Sequence, residues 1–288
     1  MRPPLLSLWS GRGGPVLGAL LAALVGSAAL AQTPKRIIAL SPSLTESVCA
    51  LGRCPQLVAV DRYSDWPATP TASLPRVGGL EDAQIERIVA LKPDLVLLGP
   101  RSRAGERLQS LGVHVLTLDA RTHADLKRTL LQLGKALGQS DQAHALLQRI
   151  DATLQAAAAR VPASWRDRTV YLEVTPGVAA GASSFIGETL SRLGLRSIAG
   201  PELGLFPRLN PEQVVRHPPD VVIGPRGSLA DASTRPGWAT LPALRQGRVC
   251  LLDSTRMDLL LRPGPRVGEA AQMLVDCLLT LPPPAPEH

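Results

Sequence analysis

Aromatic side chains are scarce in this sequence of 288 residues. Phe, Trp and Tyr make up 3% of it, whereas 45% of the residues are hydrophobic. The core can therefore be built from aliphatic side chains, and an aromatic residue in a polar loop needs another explanation. Tyr63 and Trp66 lie in such a loop, in the stretch YSDWP. We expect Tyr63 to contact a ligand, and Trp66 either to do the same or to pack beneath its own loop.

The sequence also lacks the common signatures of catalysis and metal binding. It contains no G-x-S-x-G motif, no HExxH motif and no C-x-x-C pair. Its histidines fall on predicted helices, at a strand entrance, before a Pro-Pro turn or at the last position: His114, His123, His144, His217 and His288. These absences argue against an enzyme, and against a resident metal ion or cofactor.

Positive charge is in excess but is not clustered. The formal net charge is +7, and the lysines and arginines are scattered without a basic run or interleaved aromatics. A nucleic-acid-binding surface normally concentrates such residues on one face or along one helix. The composition therefore predicts a solvated basic surface and no nucleic-acid partner.

Long apolar runs are absent except for a short one near the start. Arg2 and Arg12 precede the apolar stretch 16–25, and Ala29-Leu30-Ala31 forms an A-x-A site. This order is typical of a secretory signal peptide, predicted over residues 1–31 with cleavage after Ala31. Because no cysteine stands at the cleavage site, we expect a soluble exported protein rather than a lipoprotein.

Four cysteines are compatible with an oxidising compartment. Cys49 and Cys54 flank Gly52 in SVCALGRCP, where a glycine that ends a helix would bring the two thiols together, so we predict a disulfide. Cys250 lies in an apolar strand and Cys277 in an apolar helix. For this second pair, a disulfide and two separate buried thiols remain equally open.

Strand and helix patterns alternate from Arg36 onward, which indicates parallel sheets covered by helices on both faces. The alternation stops over residues 122–161, where the Ala-, Leu- and Gln-rich text from Ser140 contains no Pro or Gly before Pro162. About 22 residues of helix would be ~33 Å long, the width of a small domain. We predict two Rossmann-like α/β lobes, one over residues 35–137 and one over residues 165–281. A rigid linking helix would occupy residues 138–164, and residues 282–288 would form a short tail.

One unit of sequence occurs twice. IERIVALKPDLVLLGP, from Ile85, resembles PEQVVRHPPDVVIGP, from Pro211, and Glu86 and Glu212 stand at corresponding positions 126 residues apart. A carboxylate in the first turn of a helix is favoured by the helix dipole alone. Two such carboxylates on lobes related by pseudo-symmetry would also suit docking onto a two-fold symmetric partner.

Four motifs in this order carry a family resemblance: RIIALSPSLTE, YSDWP, IERIVALKPDLV and PGPRVGEAAQML. From about Arg36 to Leu279 the chain resembles the periplasmic binding proteins of metal-chelate ABC transporters, and most closely their vitamin B12-binding members. The resemblance implies two lobes that clasp a ligand in the periplasm and deliver it to a dimeric permease. It also implies that Glu86 and Glu212 pair with arginines of the two permease subunits, and that the protein is a monomer.

The resemblance implies a set of ligand contacts as well. Tyr63 matches an aromatic residue that covers the flat face of a corrin, and Phe206 stands where the family has Trp. Leu80, Gly99 and Val178 replace other aromatics, and Asp258 and Arg262 match polar contacts from the second lobe. The expected ligand is a cobalt corrinoid, with a ferric siderophore or another metal chelate as the alternative; haem fits less well because the VGGL stretch offers no iron ligand.

Ligands of open α/β sheets lie beyond the carboxyl ends of the strands. We therefore expect the cleft to be formed by Tyr63 and by the loops that follow the predicted strands: residues 41–43, 78–80, 99–101, 175–182, 224–227 and 253–257. Arg101 and Arg103 would meet an anionic ligand there or remain solvated at the tip of their loop.

Overall fold

The computed structural model of this protein describes residues 33–284, so the predicted signal peptide and the last residues of the predicted tail lie outside it. The described residues form one compact unit. They contain two largely parallel β-sheets with helices around them and one long helix between them in sequence, as the strand and helix patterns predict. The predicted boundaries of the lobes remain a prediction.

The first lobe is built on a four-stranded parallel sheet. Its strands are buried apolar runs, as expected where helices cover both faces. In chain order they are β1 (Ile37–Ala39), β2 (Leu57–Val60), β3 (Leu95–Leu98) and β4 (Val115–Thr117), and they lie in the order β2-β1-β3-β4. The accompanying helices are α1 (Pro42–Ala50), α2 (Ala68–Ala72), α3 (Ile85–Ala90), α4 (Ala104–Ser110) and α5 (His123–Ala136).

The predicted long helix is α6, Ser140–Ala159, with Gln139 rather than Ser140 at its N-cap. Its buried residues, Ala143, Leu146, Ile150, Leu154 and Ala157, form one stripe at helical spacing. Every helix of residues 33–284, this one included, is too short or too polar to cross a membrane.

The second lobe repeats the sheet of the first. Its strands are β5 (Thr169–Thr175), β6 (Val178–Ala179), β7 (Arg196–Ser197), β8 (Val221–Pro225) and β9 (Val249–Leu252). The parallel strands run β7-β5-β8-β9, and β6 turns back antiparallel against the end of β5. The sequence pattern did not predict β6 or β7. The helices are α7 (Phe185–Arg192), α8 (Pro211–Arg216), α9 (Arg226–Leu229), α10 (Pro242–Arg245), α11 (Ser254–Leu261) and α12 (Val267–Thr280).

The repeated sequence unit occupies the same place in both lobes: α3 leads into β3, and α8 leads into β8. The Pro-Asp turn in each copy forms the same hydrogen bonds. The backbone amide of Asp94 donates to the carbonyl of Arg36 at 2.8 Å, and that of Asp220 donates to the carbonyl of Thr169 at 2.9 Å. Each aspartate also accepts a backbone N–H at the start of the neighbouring strand, from Arg36 at 2.9 Å or Thr169 at 2.8 Å. The aspartates therefore fasten the entry of the central strand pair.

One hydrophobic core extends across both lobes. It includes Ile37 of β1, the buried stripe of α6 and Leu274 of α12. Helix α6 packs against α5 of the first lobe and against α7 and α12 of the second. The linking helix is thus a shared wall of the core, not only a spacer between two lobes.

Both cysteine pairs are disulfides. The predicted Cys49–Cys54 bond joins the end of α1 to the turn that follows it. Cys250 and Cys277, whose state was open from the sequence, are also bonded and connect β9 to α12. The second bond closes the longer loop, with a separation of 27 residues against five.

Candidate functional site

One candidate site, here called the main cavity, lies between the lobes and has a volume of about 500 Å³. The first lobe contributes residues that follow β1, β3 and β4, as expected for ligand sites beyond the carboxyl ends of parallel strands. The apolar side chains that line it come from both lobes: Leu44, Leu80, Leu118, Val174, Phe185, Leu205, Phe206 and Leu261. A volume and lining of this kind are typical of a small-molecule site.

A second cavity of about 450 Å³, here called the side cavity, adjoins the first and shares Ser43, Leu261 and Pro263 with it. It is more polar, because it is also lined by Arg62, Tyr63, Asp65, Asp258 and Arg262. The two cavities together give the cleft one apolar part and one part with both signs of charge.

Six of the eight predicted ligand residues border these cavities. Leu80, Gly99 and Phe206 line the main cavity, and Tyr63, Asp258 and Arg262 line the side cavity. Tyr63 and Phe206 are 62% and 38% exposed, although aromatic residues make up only 3% of the sequence. Exposed aromatic surface beside a cavity favours a ligand with an apolar face.

Trp66 and Val178 are placed elsewhere. The Trp66 ring is half-buried, and the guanidinium of Arg266 lies 4.4 Å from its centroid, so the ring contacts the start of α12 in the second lobe. Val178 lies on β6, where it pairs with Arg208. Neither residue lines the two cavities.

Several lining residues were missed from the sequence. Ala120 and Arg121 follow β4, so the rule that named the other loops could have found them. Phe185, Leu205 and Leu261 reach the main cavity from the second lobe, whereas the predicted loops 175–182, 224–227 and 253–257 do not line it. Only the scarcity of aromatics could have singled out Phe185.

Positive charge stands at one side of the main cavity. The Nε of Arg121 forms an ion pair with the Oδ2 of Asp119 at 2.7 Å, and both side chains line the cavity. Arg101 lines it too and forms no ion pair within residues 33–284. An anionic group of a ligand would therefore find an unpaired guanidinium at Arg101.

The loop that carries Tyr63 is organised by buried polar groups. Asp61 is 1% exposed, and its carboxylate accepts hydrogen bonds from the Tyr63 amide, at 2.7 Å, and from the Ser64 hydroxyl. Burial nevertheless raises the pKa of Asp61 above its ordinary value. Ser64 is in turn hydrogen-bonded to Thr45 of α1 at 2.7 Å. The loop is thus tied to the first lobe behind the exposed ring of Tyr63.

Arg262 is held by carboxylates of both lobes. Its Nη1 donates to Glu46 Oε1 at 3.0 Å and to Asp65 Oδ1 at 2.7 Å, and its Nη2 donates to Asp258 Oδ2 at 3.1 Å. Burial alone would raise the pKa of Asp65, but the hydrogen bond and charge of Arg262 outweigh it and lower that pKa. Arg262 therefore borders the side cavity with its charge already matched by the protein.

The lobes also meet at the start of α5. The Phe185 amide donates to the carbonyl of Arg121 at 2.7 Å, and the His123 amide donates to Glu188 at 2.5 Å. The imidazole Nε2 of His123 lies 2.8 Å from the Thr189 hydroxyl and 3.1 Å from the Phe185 carbonyl, so the ring is held by α7 of the second lobe. Burial, assisted by the charge of Arg192, outweighs the opposing charge of Glu188 and lowers the pKa of His123 below 6.5.

Glu86 and Glu212 lie in the first turns of α3 and α8, and both are exposed. Neither carboxylate takes part in an ion pair or side-chain hydrogen bond within the described part of the chain. Corresponding elements of the two lobes present them, so the protein carries two equivalent, unpaired acidic groups. Their predicted role in docking remains a prediction.

Comparison with known proteins places the chain in a family. The model of the periplasmic binding protein family matches residues 37–255. The vitamin B12-binding protein of Pectobacterium atrosepticum is 30% identical over 261 residues, which cover 86% of this chain and 90% of that protein. The ABC transporter substrate-binding lipoprotein YvrC of Bacillus subtilis, itself uncharacterised, is 28% identical over 257 residues, covering 85% of this chain and 80% of its own length.

A solved structure agrees with this assignment. The periplasmic haem-binding protein BhuT, in complex with two haems, superposes with a TM-score of 0.72 and 28% identity. The match covers 86% of this chain and 98% of BhuT. The chain therefore belongs to the periplasmic binding protein family, as a substrate-binding protein of the ABC-transporter type and not an enzyme.

Proposed function

We propose that this protein binds a corrinoid in the cleft between its lobes and delivers it to the permease of an ABC importer. The main cavity carries the proposal, because it is largely apolar, lies between the lobes and has the exposed aromatic residue Phe206 at its border. Tyr63 adds a second exposed aromatic ring beside the adjoining side cavity. A flat macrocycle with polar side arms matches this division into an apolar and a polar part.

A different metal chelate is the second candidate, and Arg101 favours it. An unpaired guanidinium in the main cavity would suit the carboxylates of a ferric siderophore. Haem is less well supported. Haem iron takes an axial His, Cys, Met or Tyr ligand, and none of these residue types lines the main cavity. Tyr63 is the one such residue in the side cavity.

Calorimetric titration of the purified protein distinguishes these ligands. The protein is titrated with cyanocobalamin, cobinamide, haemin and a ferric hydroxamate siderophore, and absorption spectra are recorded alongside. We expect 1:1 binding of at least one of the two corrinoids. Binding of the siderophore or haemin, with no heat and no spectral change from either corrinoid, would replace the corrinoid by that ligand.

The variant Phe206→Ala tests whether the ligand occupies the main cavity. Phe206 is 38% exposed, and an aromatic side chain has roughly 200 Å² to bury, so a ligand can cover about 75 Å² of it. At ~25 cal/mol per Å² this contributes up to ~2 kcal/mol, roughly a 25-fold change in Kd. Leu203→Ala is the matched control, because Leu203 is 44% exposed nearby in sequence and lines neither cavity.

The proposed permease contact is made by Glu86 and Glu212. Their support is the duplicated architecture: each is an exposed acid at the start of the helix that leads into the equivalent strand of its lobe. Two equivalent acidic points on one protein match a partner with two equivalent basic points, as a dimeric permease would provide.

A further inference from the structure

The loop between α11 and α12 of the second lobe lies against α1 of the first. A methyl group added to Gly264 would stand 3.5 Å from the Cβ of Ser43, at van der Waals distance, so the two segments lie close together. Arg262 and Arg266 flank this glycine and extend to the same carboxylate of the first lobe, that of Glu46.

Glu46 is 1% exposed and accepts three hydrogen bonds from the second lobe. Arg266 donates two of these hydrogen bonds, from Nε to Oε2 at 3.0 Å and from Nη2 to Oε1 at 2.7 Å. Arg262 donates the third, from Nη1 to Oε1 at 3.0 Å. The arginine side chains are themselves only 13% and 9% exposed. A bidentate arginine–carboxylate pair of this kind fixes the orientation of the two side chains as well as the distance between them.

The same two arginines also hold the loop that follows β2. Arg262 donates to Asp65 at 2.7 Å and to the carbonyl of Tyr63 at 3.2 Å, and Arg266 lies over the Trp66 ring. Tyr63, Asp65 and Arg262 all line the side cavity. The position of Glu46 therefore influences where three cavity-lining residues stand, although Glu46 lines neither cavity.

The main cavity is bordered by this contact and by the one at the start of α5. Leu261 and Pro263 line the cavity beside the first contact, and Arg121 and Phe185 line it beside the second. The lobes thus meet at two polar contacts beside the cavity in addition to their shared hydrophobic core, and two contacts restrict the opening more than one would.

We propose that Glu46 is a positioning residue that, through Arg262 and Arg266, sets the spacing of the two lobes and so the width of the cleft offered to the ligand. With its carboxylate replaced by an amide, Arg266 loses its ion-pair partner and Arg262 keeps only Asp65 and Asp258, so the two nearly buried guanidiniums repel each other with less compensation. The lobes then separate on this side of the cleft, and a bound ligand loses contacts to one of them.

Distances between spin labels test the proposal without a ligand. Nitroxides are attached at Gln109→Cys and Arg245→Cys, two exposed positions on different lobes that take part in no ion pair within the described residues. We expect a single narrow distance distribution in the otherwise unchanged protein and a broader, longer one in Glu46→Gln. The control Asp276→Asn removes an exposed ion pair with Arg160 outside the cleft and should leave the distribution unchanged.

A second variant keeps the test decisive if Glu46→Gln does not fold. Asp65→Asn removes a 2.7 Å contact of Arg262 at a side chain that is 67% exposed, so its cost to folding is small. It should broaden the distribution less than Glu46→Gln does. Distributions identical to the unchanged protein in every folded variant of the two would overturn the proposal.

Measuring ligand dissociation connects the spacing of the lobes to ligand binding. This measurement alone rests on the proposed function. Cyanocobalamin should dissociate roughly tenfold faster from Glu46→Gln, or severalfold faster from Asp65→Asn, than from the Asp276→Asn control. Broadened distances with unchanged dissociation would overturn the link between Glu46 and the ligand. If the unchanged protein does not bind cyanocobalamin, the proposed ligand is wrong, while the distances still decide the role of Glu46.

Discussion

Replacing both Glu86 and Glu212 by alanine should separate ligand binding from transport. Both carboxylates are exposed in the first turns of short helices and form no ion pair within residues 33–284. The free protein therefore loses only the interaction of each charge with its helix dipole, at most ~1 kcal/mol. Since neither glutamate lines the main cavity or the side cavity, the Kd for the ligand should not change.

Docking should be affected much more strongly than folding. If each glutamate faces an arginine of the permease, its removal leaves that arginine without a partner in the interface. Removing one member of a desolvated charge pair costs ~2–5 kcal/mol in binding, and less at a solvated rim. A loss of ~3 kcal/mol at one site corresponds to roughly 150-fold weaker docking, so loss at both sites should abolish productive complexes.

The assay is ligand-stimulated ATP hydrolysis by the permease–ATPase complex in proteoliposomes, with calorimetry of the ligand beside it. Each single variant should reduce stimulation, the double alanine variant should abolish it, and reversal to lysine should be worse through repulsion. Asp141→Ala is the matched control, because Asp141 is an exposed acid in the first turn of α6. Wild-type stimulation by the double variant would refute the reasoning and leave the glutamates as favourable helix starts only.

Two further predictions concern stability. Because the pKa of His123 is lowered in the folded protein, the unfolded chain binds the extra proton more readily, and the free energy of unfolding should fall as the pH drops below 6.5. Urea unfolding at pH 7.5 and 5.5 should show a smaller pH effect in His123→Gln, and an equal effect would contradict the assignment. Replacing Cys250 and Cys277 by alanine should destabilise the protein by about 3.5 kcal/mol, and replacing Cys49 and Cys54 by about 2 kcal/mol, because the first bond closes the longer loop. The reverse ranking in urea titrations would show that chain entropy does not govern these bonds.

The alternation of strands and helices was predictable because buried parallel strands are continuous apolar runs. The long helix was predictable because its sequence is uninterrupted and rich in helix-forming residues. The strands β6 and β7 were not, since each has two residues and no periodicity can be detected at that length. Their existence depends on their position beside β5.

The candidate site was predictable on one side only. The loops expected at residues 41–43, 78–80 and 99–101 contribute lining residues to the main cavity, because strand ends of a parallel sheet converge at one edge, but the loop after β4 was not named. The contributions of Leu205 and Leu261 depend on how the second lobe is oriented, which no local pattern encodes. The same holds for Glu46 and Arg262, which are 216 residues apart in sequence and form an ion pair across the cleft.

The shared position of α6 in the core has a consequence for how the chain folds. Helix α6, whose buried stripe includes Leu146, Ile150 and Leu154, packs against α12, which ends at Thr280. During synthesis or export, the first lobe and α6 are complete while that apolar stripe still lacks its cover, so it remains exposed to water and to other chains. Completion of the first half therefore depends on the last helix, and the two halves should melt in one cooperative transition instead of two.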